Sequence, residues 1–314
     1  MRELERRMAV VDFKERLLAG LGGTWPESCP LNVQTRERID REGYHIESLY
    51  YDAEPEDAVP AMLLVPEGVT RRRPAPAVIC LHQHQFHLGK HEPAGLAGAE
   101  MHQVGPRLAR EGYVVLCFDA ICFGERKSEQ LKDMDYERFV FLRELVNGRC
   151  MAWKNILDIR RAVDFLVSRK EVRNNRIGCY GHSMGSTHTW MAGPWEPRIR
   201  CLVCNCCLPT YKGIHREQML HCYPNFVPVI NQHGDMQDIV ALIAPRPLQM
   251  NFGDLDEGSP IDCVREGLEV IARQYESLDA HESFSYLIEE KTGHVKSEAM
   301  WKATILWFDR HLAS

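Results

Sequence analysis

The pentapeptide Gly-His-Ser-Met-Gly at residues 181–185 constrains this chain more than any other stretch. A short apolar run, residues 176–180, precedes it, and a run that can continue as a helix, residues 186–192, follows it. The serine therefore occupies a sharp turn from a strand into a helix, where a side chain on either glycine would collide with its neighbours. Such a turn exposes a nucleophile, and the pattern predicts Ser183 in that role.

Candidates for an acid and a base follow downstream, each just beyond a predicted strand. Residues 247–252 predict a buried strand that leads to Asp254 and Asp256, and residues 284–288 predict another that leads to His294. Open parallel sheets place their ligands beyond the carboxyl ends of strands, and the order serine, acid, histidine suits a catalytic triad. We expect His294 as base and Asp256 as acid, because Asp256 leads into a turn. Asp254 is the alternative acid and is otherwise a turn or cap residue.

The rest of the chain alternates strand-like and helix-like segments. Strands are predicted at 44–51, 59–65, 77–81, 113–118, 176–180 and 201–207, with the first two antiparallel. Helices are predicted at 4–21, 102–111, 151–169, 261–278 and 296–312. Nearly continuous apolar strands are typical of parallel sheets buried on both faces. The sequence therefore predicts an α/β fold with a mostly parallel, doubly wound sheet and flanking helices, as an N-terminal helical segment at 1–43 and one domain at 44–314.

Two segments interrupt this alternation. Residues 127–149 form a charged helical excursion, and residues 208–244 separate the cysteine-rich strand from the strand that carries the acid. The second segment is expected on the rim above the serine as a lid-like insertion. Its apolar side chains are predicted either to line a substrate pocket or to pack within a long connection: Tyr211, Met219, Tyr223, Phe226 and Val227.

The loop after the third predicted strand, residues 82–92, is rich in histidine. Acyl transfer needs two donors for the developing oxyanion, and one is the backbone N–H of Met184, directly after the serine. By its position, the backbone N–H of His84 is the expected second donor, with Gln83 as the next choice. The alternative is a metal site built from the four histidines of the loop, His82, His84, His87 and His91.

Composition narrows the class of protein. A net charge of -6 argues against a nucleic-acid surface, and no apolar run has the length of a membrane span. The 12 cysteines lie mainly in apolar runs, as reduced thiols do in the cytoplasm, where we expect the protein. The cysteines at 201–207 could suggest a metal, but their spacing matches no tetrahedral site, and a buried strand is the better interpretation.

Taken together, several stretches resemble the dienelactone-hydrolase-like and acetyl-xylan-esterase-like α/β-hydrolases. The resemblance covers about residue 44 to the end and is carried by residues 82–84, 118–126, 176–185 and 241–256. It implies the α/β-hydrolase fold, with Ser183 as nucleophile, Asp256 as orienting acid and His294 as base. Dienelactone hydrolases proper have a cysteine where this chain has Ser183, so their lactone chemistry is not expected.

The expected activity is hydrolysis of a small carboxylic ester, with a short acyl or acetyl group, through an acyl-enzyme intermediate. No metal or organic cofactor is expected, and no nucleic-acid or membrane partner. One alternative is a serine peptidase or amidase of the prolyl-oligopeptidase type, although the chain lacks room for an amino-terminal propeller. Another is a hydrolase scaffold that only binds ligands. The sequence leaves the physiological substrate and the oligomeric state open.

Overall fold

The computed structural model describes residues 2–313, with side chains from residue 10 onward; Met1 and Ser314, at the ends of the predicted segments, lie outside this range. The strands are β1 Gln34–Arg41, β2 Tyr44–Glu54, β3 Asp57–Pro66, β4 Ala75–Leu81, β5 Val114–Phe118, β6 Val172–His182, β7 Ile199–Asn205, β8 Leu248–Gly253 and β9 Phe284–Glu289. The helices are α1 Arg2–Leu21, α2 Val104–Arg110, α3 Asp133–Val146, α4 Met151–Ser168, α5 Met184–Ala192, α6 Tyr211–Glu217, α7 Met236–Ala241, α8 Ile261–Glu276 and α9 Glu298–Phe308.

All nine strands form one sheet in the order β1-β2-β3-β5-β4-β6-β7-β8-β9. The pairings β1 to β2, β2 to β3 and β3 to β5 are antiparallel, and every pairing from β5 to β9 is parallel. Strand β6, which ends one residue before the predicted nucleophile, lies in the middle of the parallel part, between β4 and β7. The predicted mostly parallel sheet is confirmed.

Helices cover both faces of the sheet, and alternate residues of β4 show this directly. Ala77 and Ile79 join a large core with helices α4, α5, α7 and α8, whereas Val78 and Cys80 join a second core with α2 and α9. Both sets of side chains are fully buried. This arrangement explains why the parallel strands are apolar at nearly every position, as a doubly wound sheet requires.

The prediction of a helical segment through residue 43 is wrong for residues 34–41, which form β1. The sequence of β1, Gln-Thr-Arg-Glu-Arg-Ile-Asp-Arg, is polar because nearly all its side chains are exposed at the edge of the sheet. Backbone pairing with β2 holds it in place rather than burial of one face. A strand of this kind lacks the alternation of polar and apolar residues by which strands are recognised.

The two excursions meet above the carboxyl end of β6. Residues 127–149 contain α3, and residues 208–244 contain α6, α7 and two short 3₁₀ turns. Phe141 of α3 stacks on Tyr223 with ring centroids 4.7 Å apart, which joins the two segments. No described helix combines the length and apolar character needed to cross a bilayer.

Candidate active site

Ser183 lies on a strained turn between β6 and α5. Its backbone has φ 57° and ψ −121°, a conformation that costs a residue with a side chain on the order of 1–3 kcal/mol. A Cβ atom at Gly181 would collide with the carbonyl oxygen of Gly185, and one at Gly185 with that of Leu81. The predicted crowding around both glycines is therefore present. The backbone N–H of Ser183 donates to the carbonyl of Asn205 at 2.9 Å, which ties the turn to β7.

His294 and Asp256 form a hydrogen-bonded pair. Nδ1 of His294 lies 2.7 Å from Oδ2 of Asp256, and Asp256 Oδ1 accepts the backbone N–H of Gly258 at 2.9 Å. The carboxylate is buried, whereas the His294 side chain is 39% exposed. Asp254 instead accepts the backbone N–H of Thr292 at 3.2 Å. The histidine is thus held from one side and open to ligand on the other.

Ser183, Asp256 and His294 line one pocket of about 540 Å³. The walls come from the turns after β4, β6, β8 and β9, from helix α3, and from residues 220–223 of the second excursion. The full lining is His84, Met134, Glu137, Ser183, Leu220, His221, Cys222, Tyr223, Leu255, Asp256, Glu257, Gly258 and His294. The three residues predicted from separate parts of the sequence therefore share one cavity.

Both alternatives left open for the five apolar candidates of segment 208–244 occur in the structure. Of its five predicted candidates, Tyr223 lines this pocket. The other four, Tyr211, Met219, Phe226 and Val227, belong to or pack against the main core. The hydroxyl of Tyr211 donates to the carbonyl of Asn225 at 2.6 Å, which fixes the segment on the domain.

The histidine-rich loop after β4 is anchored by its polar side chains. Nδ1 of His82 donates to its neighbour's carbonyl at Gln83, and Nε2 accepts the backbone N–H of Ala120 at 3.1 Å. Burial lowers the pKa of His82, in keeping with this neutral form. Lys90, fully buried, donates to Asp119 at 2.7 Å. These contacts leave the backbone N–H groups of Gln83 and His84 without an acceptor among the described residues.

The loop histidines do not converge on one point. Nε2 of His84 lies 2.8 Å from Oε2 of Glu137, and Nε2 of His87 lies 3.4 Å from Asp133. Within the part of the chain that the structure describes, three potential ligand atoms approach one another within 4.8 Å only at Cys206, Asp256 and His294. None of the loop histidines belongs to that group.

A buried polar cluster lies behind His294. The His182 ring stacks on His102 at 4.7 Å and lies 5.1 Å from the His294 ring. Nδ1 of His182 accepts a hydrogen bond from Nδ2 of Asn205 at 2.9 Å. Burial, together with the neighbouring His294, lowers the pKa of His182 well below its ordinary value. His182 is therefore neutral. Nζ of Lys296 is buried beside this cluster and has no hydrogen-bond partner among the described residues.

Comparison with known proteins agrees with this geometry. A model of the Abhydrolase family matches residues 25–300, which is most of the chain. The chain belongs to the Abhydrolase family.

Individual Abhydrolase relatives extend the comparison over nearly the full length. The chain is 27% identical over 306 residues to "Putative hydrolase YtaP" of Bacillus subtilis (strain 168), covering 95% of this chain and 99% of that protein. Among solved structures it is similar to a glucuronoyl esterase from Solibacter usitatus (TM-score 0.70, 16% identity, 96% of this chain and 91% of that one). It is also similar to acetyl xylan esterase 1 from Thermoanaerobacterium sp. JW/SL YS485 (TM-score 0.62, 13% identity, 97% and 94%). The α/β-hydrolase fold and the resemblance inferred from the sequence are thereby confirmed.

Sequence reasoning missed several polar residues of this Abhydrolase pocket, among them the buried Glu137. It lies in the charged excursion 127–149, where a glutamate suggests a solvated helix face, yet its side chain is fully buried against His84. The contact joins residues 53 positions apart, so no local sequence pattern predicts it. A clue in the sequence is that Glu137 lies between the aromatic residues Tyr136 and Phe139, close to the buried Val140.

Replacing Lys296 with methionine is expected to stabilise the protein at pH 7, because an apolar side chain removes a buried amine that lacks a hydrogen-bond partner among the described residues. Burial, helped by Arg107, lowers the pKa of Lys296 from 10.5 to about 8. Between these two values the unfolded chain binds more protons than the folded one, so the wild-type free energy of unfolding rises with pH. Urea denaturation from pH 7 to 10.5 should therefore show the gain from Lys296→Met shrinking.

Lys302→Met is the matched control, since Lys302 is exposed on helix α9, which begins two residues after Lys296. Its effect on the free energy of unfolding should stay small and constant over this range. A gain from Lys296→Met that is equally large at both ends of the range would contradict the role assigned to the buried amine.

Proposed function

We propose that this protein is a serine esterase that hydrolyses small carboxylic esters through an acyl-enzyme intermediate. The observation that carries the proposal is the pocket in which Ser183, on its strained turn, faces the same cavity as the hydrogen-bonded pair His294 and Asp256. Esterases appear among the solved structures with this fold, which is consistent with ester chemistry.

The three side chains Ser183, His294 and Asp256 have defined tasks in the first half of this reaction. Nδ1–H of His294 donates to Asp256, which leaves Nε2 to accept the proton of Ser183 as Oγ attacks the ester carbonyl. The oxyanion that forms accepts hydrogen bonds from the backbone N–H groups of Met184 and His84. When the carbon–oxygen bond of the ester breaks, His294 returns the proton to the leaving alcohol, and the acyl group stays on Ser183.

The second half repeats these steps with water. Nε2 of His294 accepts a proton from the attacking water, a second oxyanion forms, and the acid departs as Ser183 recovers its proton. Asp256 stabilises the imidazolium in both halves through the 2.7 Å hydrogen bond. The buried setting of the carboxylate strengthens this interaction, since water is excluded from it.

Residues 208–244 are proposed as a lid, with the side chains of residues 220–223 over the cavity. The cavity of about 540 Å³ has apolar walls at Met134, Leu220 and Leu255, which suits a short acyl group beside a compact alcohol. The cysteines in the described residues are free thiols, most of them buried, which supports a reducing compartment such as the cytoplasm.

Ser183→Ala is expected to lower kcat for p-nitrophenyl acetate by at least about a thousandfold, because no other group supplies the nucleophile. Steady-state kinetics with esters of increasing acyl length, beside a peptide amide, measures both the loss and the class of substrate. Ser186→Ala, one helical turn away, is the control and should retain activity within about threefold. Cleavage of the amide without the esters would overturn the esterase assignment.

Two neighbouring aspartates provide a matched pair of variants. Asp256→Asn removes the charge that orients His294 and is expected to lower kcat by about 10³ to 10⁴-fold, whereas Asp254→Asn should cost far less because Asp254 bonds only to a turn amide. Circular dichroism checks that both variants fold. If Asp254→Asn shows the larger loss of kcat, the acid has been assigned to the wrong residue.

A further inference from the structure

Glu137 stands out among the buried polar groups of the pocket. Its side chain is fully buried, yet the residue lines the cavity that contains Ser183 and His84. Oε2 is satisfied by Nε2 of His84 at 2.8 Å. Oε1 is buried too and has no hydrogen-bond partner among the described residues. A carboxylate oxygen removed from water without a donor is costly, so a ligand that supplies the donor would bind favourably here.

A small apolar core lies beside His84, the partner of Glu137. Val140, Met184 and Phe123 form a small core at this place, and Phe86 stacks on Phe123 at 5.0 Å. The ring of His84 meets both aromatic rings edge-on, at 4.7 Å and 5.1 Å, which holds its imidazole against Glu137. The carboxylate is therefore rigidly placed, and within the described residues it forms no ion pair with lysine or arginine.

The charge of the pocket selects the kind of donor. Its described lining contains Glu137, Asp256 and Glu257 but no lysine or arginine, so a carboxylate on the substrate would be repelled. An ammonium group would bring three N–H donors, whereas Oε1 of Glu137 is the one buried acceptor without a partner among the described lining residues. A hydroxyl group brings a single donor and matches the one unsatisfied oxygen.

We propose that Glu137 is a subsite for a hydroxyl group of the substrate, and that the preferred substrates are esters of polyols or sugars with a hydroxyl near the scissile ester. This inference rests on the proposed esterase function. Oε1 of Glu137 accepts the substrate O–H, while His84 holds Oε2 and its own backbone N–H faces the oxyanion. The contacting pair Glu137 and His84 thus serves two purposes: Glu137 recognises the alcohol and His84 stabilises the oxyanion.

The test compares two esters that differ by one hydroxyl group, cyclohexyl acetate and trans-2-hydroxycyclohexyl acetate. The wild-type kcat/KM should be about tenfold to a hundredfold higher for the hydroxylated ester, as expected for a hydrogen bond to a charged acceptor. Equal values of kcat/KM for the two esters would overturn the subsite. Hydrolysis of neither ester, or of both by Ser183→Ala, would instead overturn the esterase proposal itself.

Variants at Glu137 separate recognition from positioning. Glu137→Leu removes both acceptor oxygens at similar size and should bring the ratio of the two kcat/KM values to about one. Glu137→Gln keeps a neutral acceptor and should give an intermediate ratio. Glu257→Gln alters an exposed carboxylate of the same pocket and should leave the ratio unchanged. If Glu137 only positioned the His84 loop, both esters would lose kcat equally and the ratio would persist.

Discussion

The backbone conformation of Ser183 is the constraint on which the rest of the site depends. A residue with a side chain adopts φ 57° at a cost, and the cost is met by the rigid setting of β6 between β4 and β7. The close approach of β4 to α5 requires glycine at 185, and the approach of the turn to itself requires glycine at 181. The serine therefore lies just beyond the carboxyl edge of the sheet. The turns after other parallel strands place their side chains at the same edge.

The parallel sheet brings those side chains together, because the turns after its strands lie at the same edge. Strands β8 and β9 are neighbours, so the turns that follow them bring Asp256 and His294 together although 38 residues separate them. The loop after β4 reaches the same edge, where His84 lines the same cavity as the serine. The excursions add Met134 and Glu137 from α3 and residues 220–223 to the lining of this cavity. The sheet thus positions the groups that we propose for chemistry, and the excursions shape the space for substrate.

The sequence predicted what local pattern and chain order encode. The pentapeptide located the strained turn, and apolar runs located the buried strands, because burial on both faces leaves a strong signal. The candidates His294 and Asp256 came from chain order and from their places just beyond predicted strands, and the structure places a hydrogen bond between them. Strand β1 escaped prediction because an exposed edge strand has no apolar face. Glu137 escaped because a buried glutamate in a charged helix is recognised only through its distant partner, His84.

The central claim is that Ser183 is the nucleophile that becomes acylated. Treatment of the wild-type protein with a fluorophosphonate probe, followed by peptide mass spectrometry, locates the serine that forms the covalent adduct. The account predicts one stoichiometric adduct on Ser183, formed in step with loss of esterase activity. An adduct on a different serine, or complete labelling of Ser183 with esterase activity intact, would contradict it.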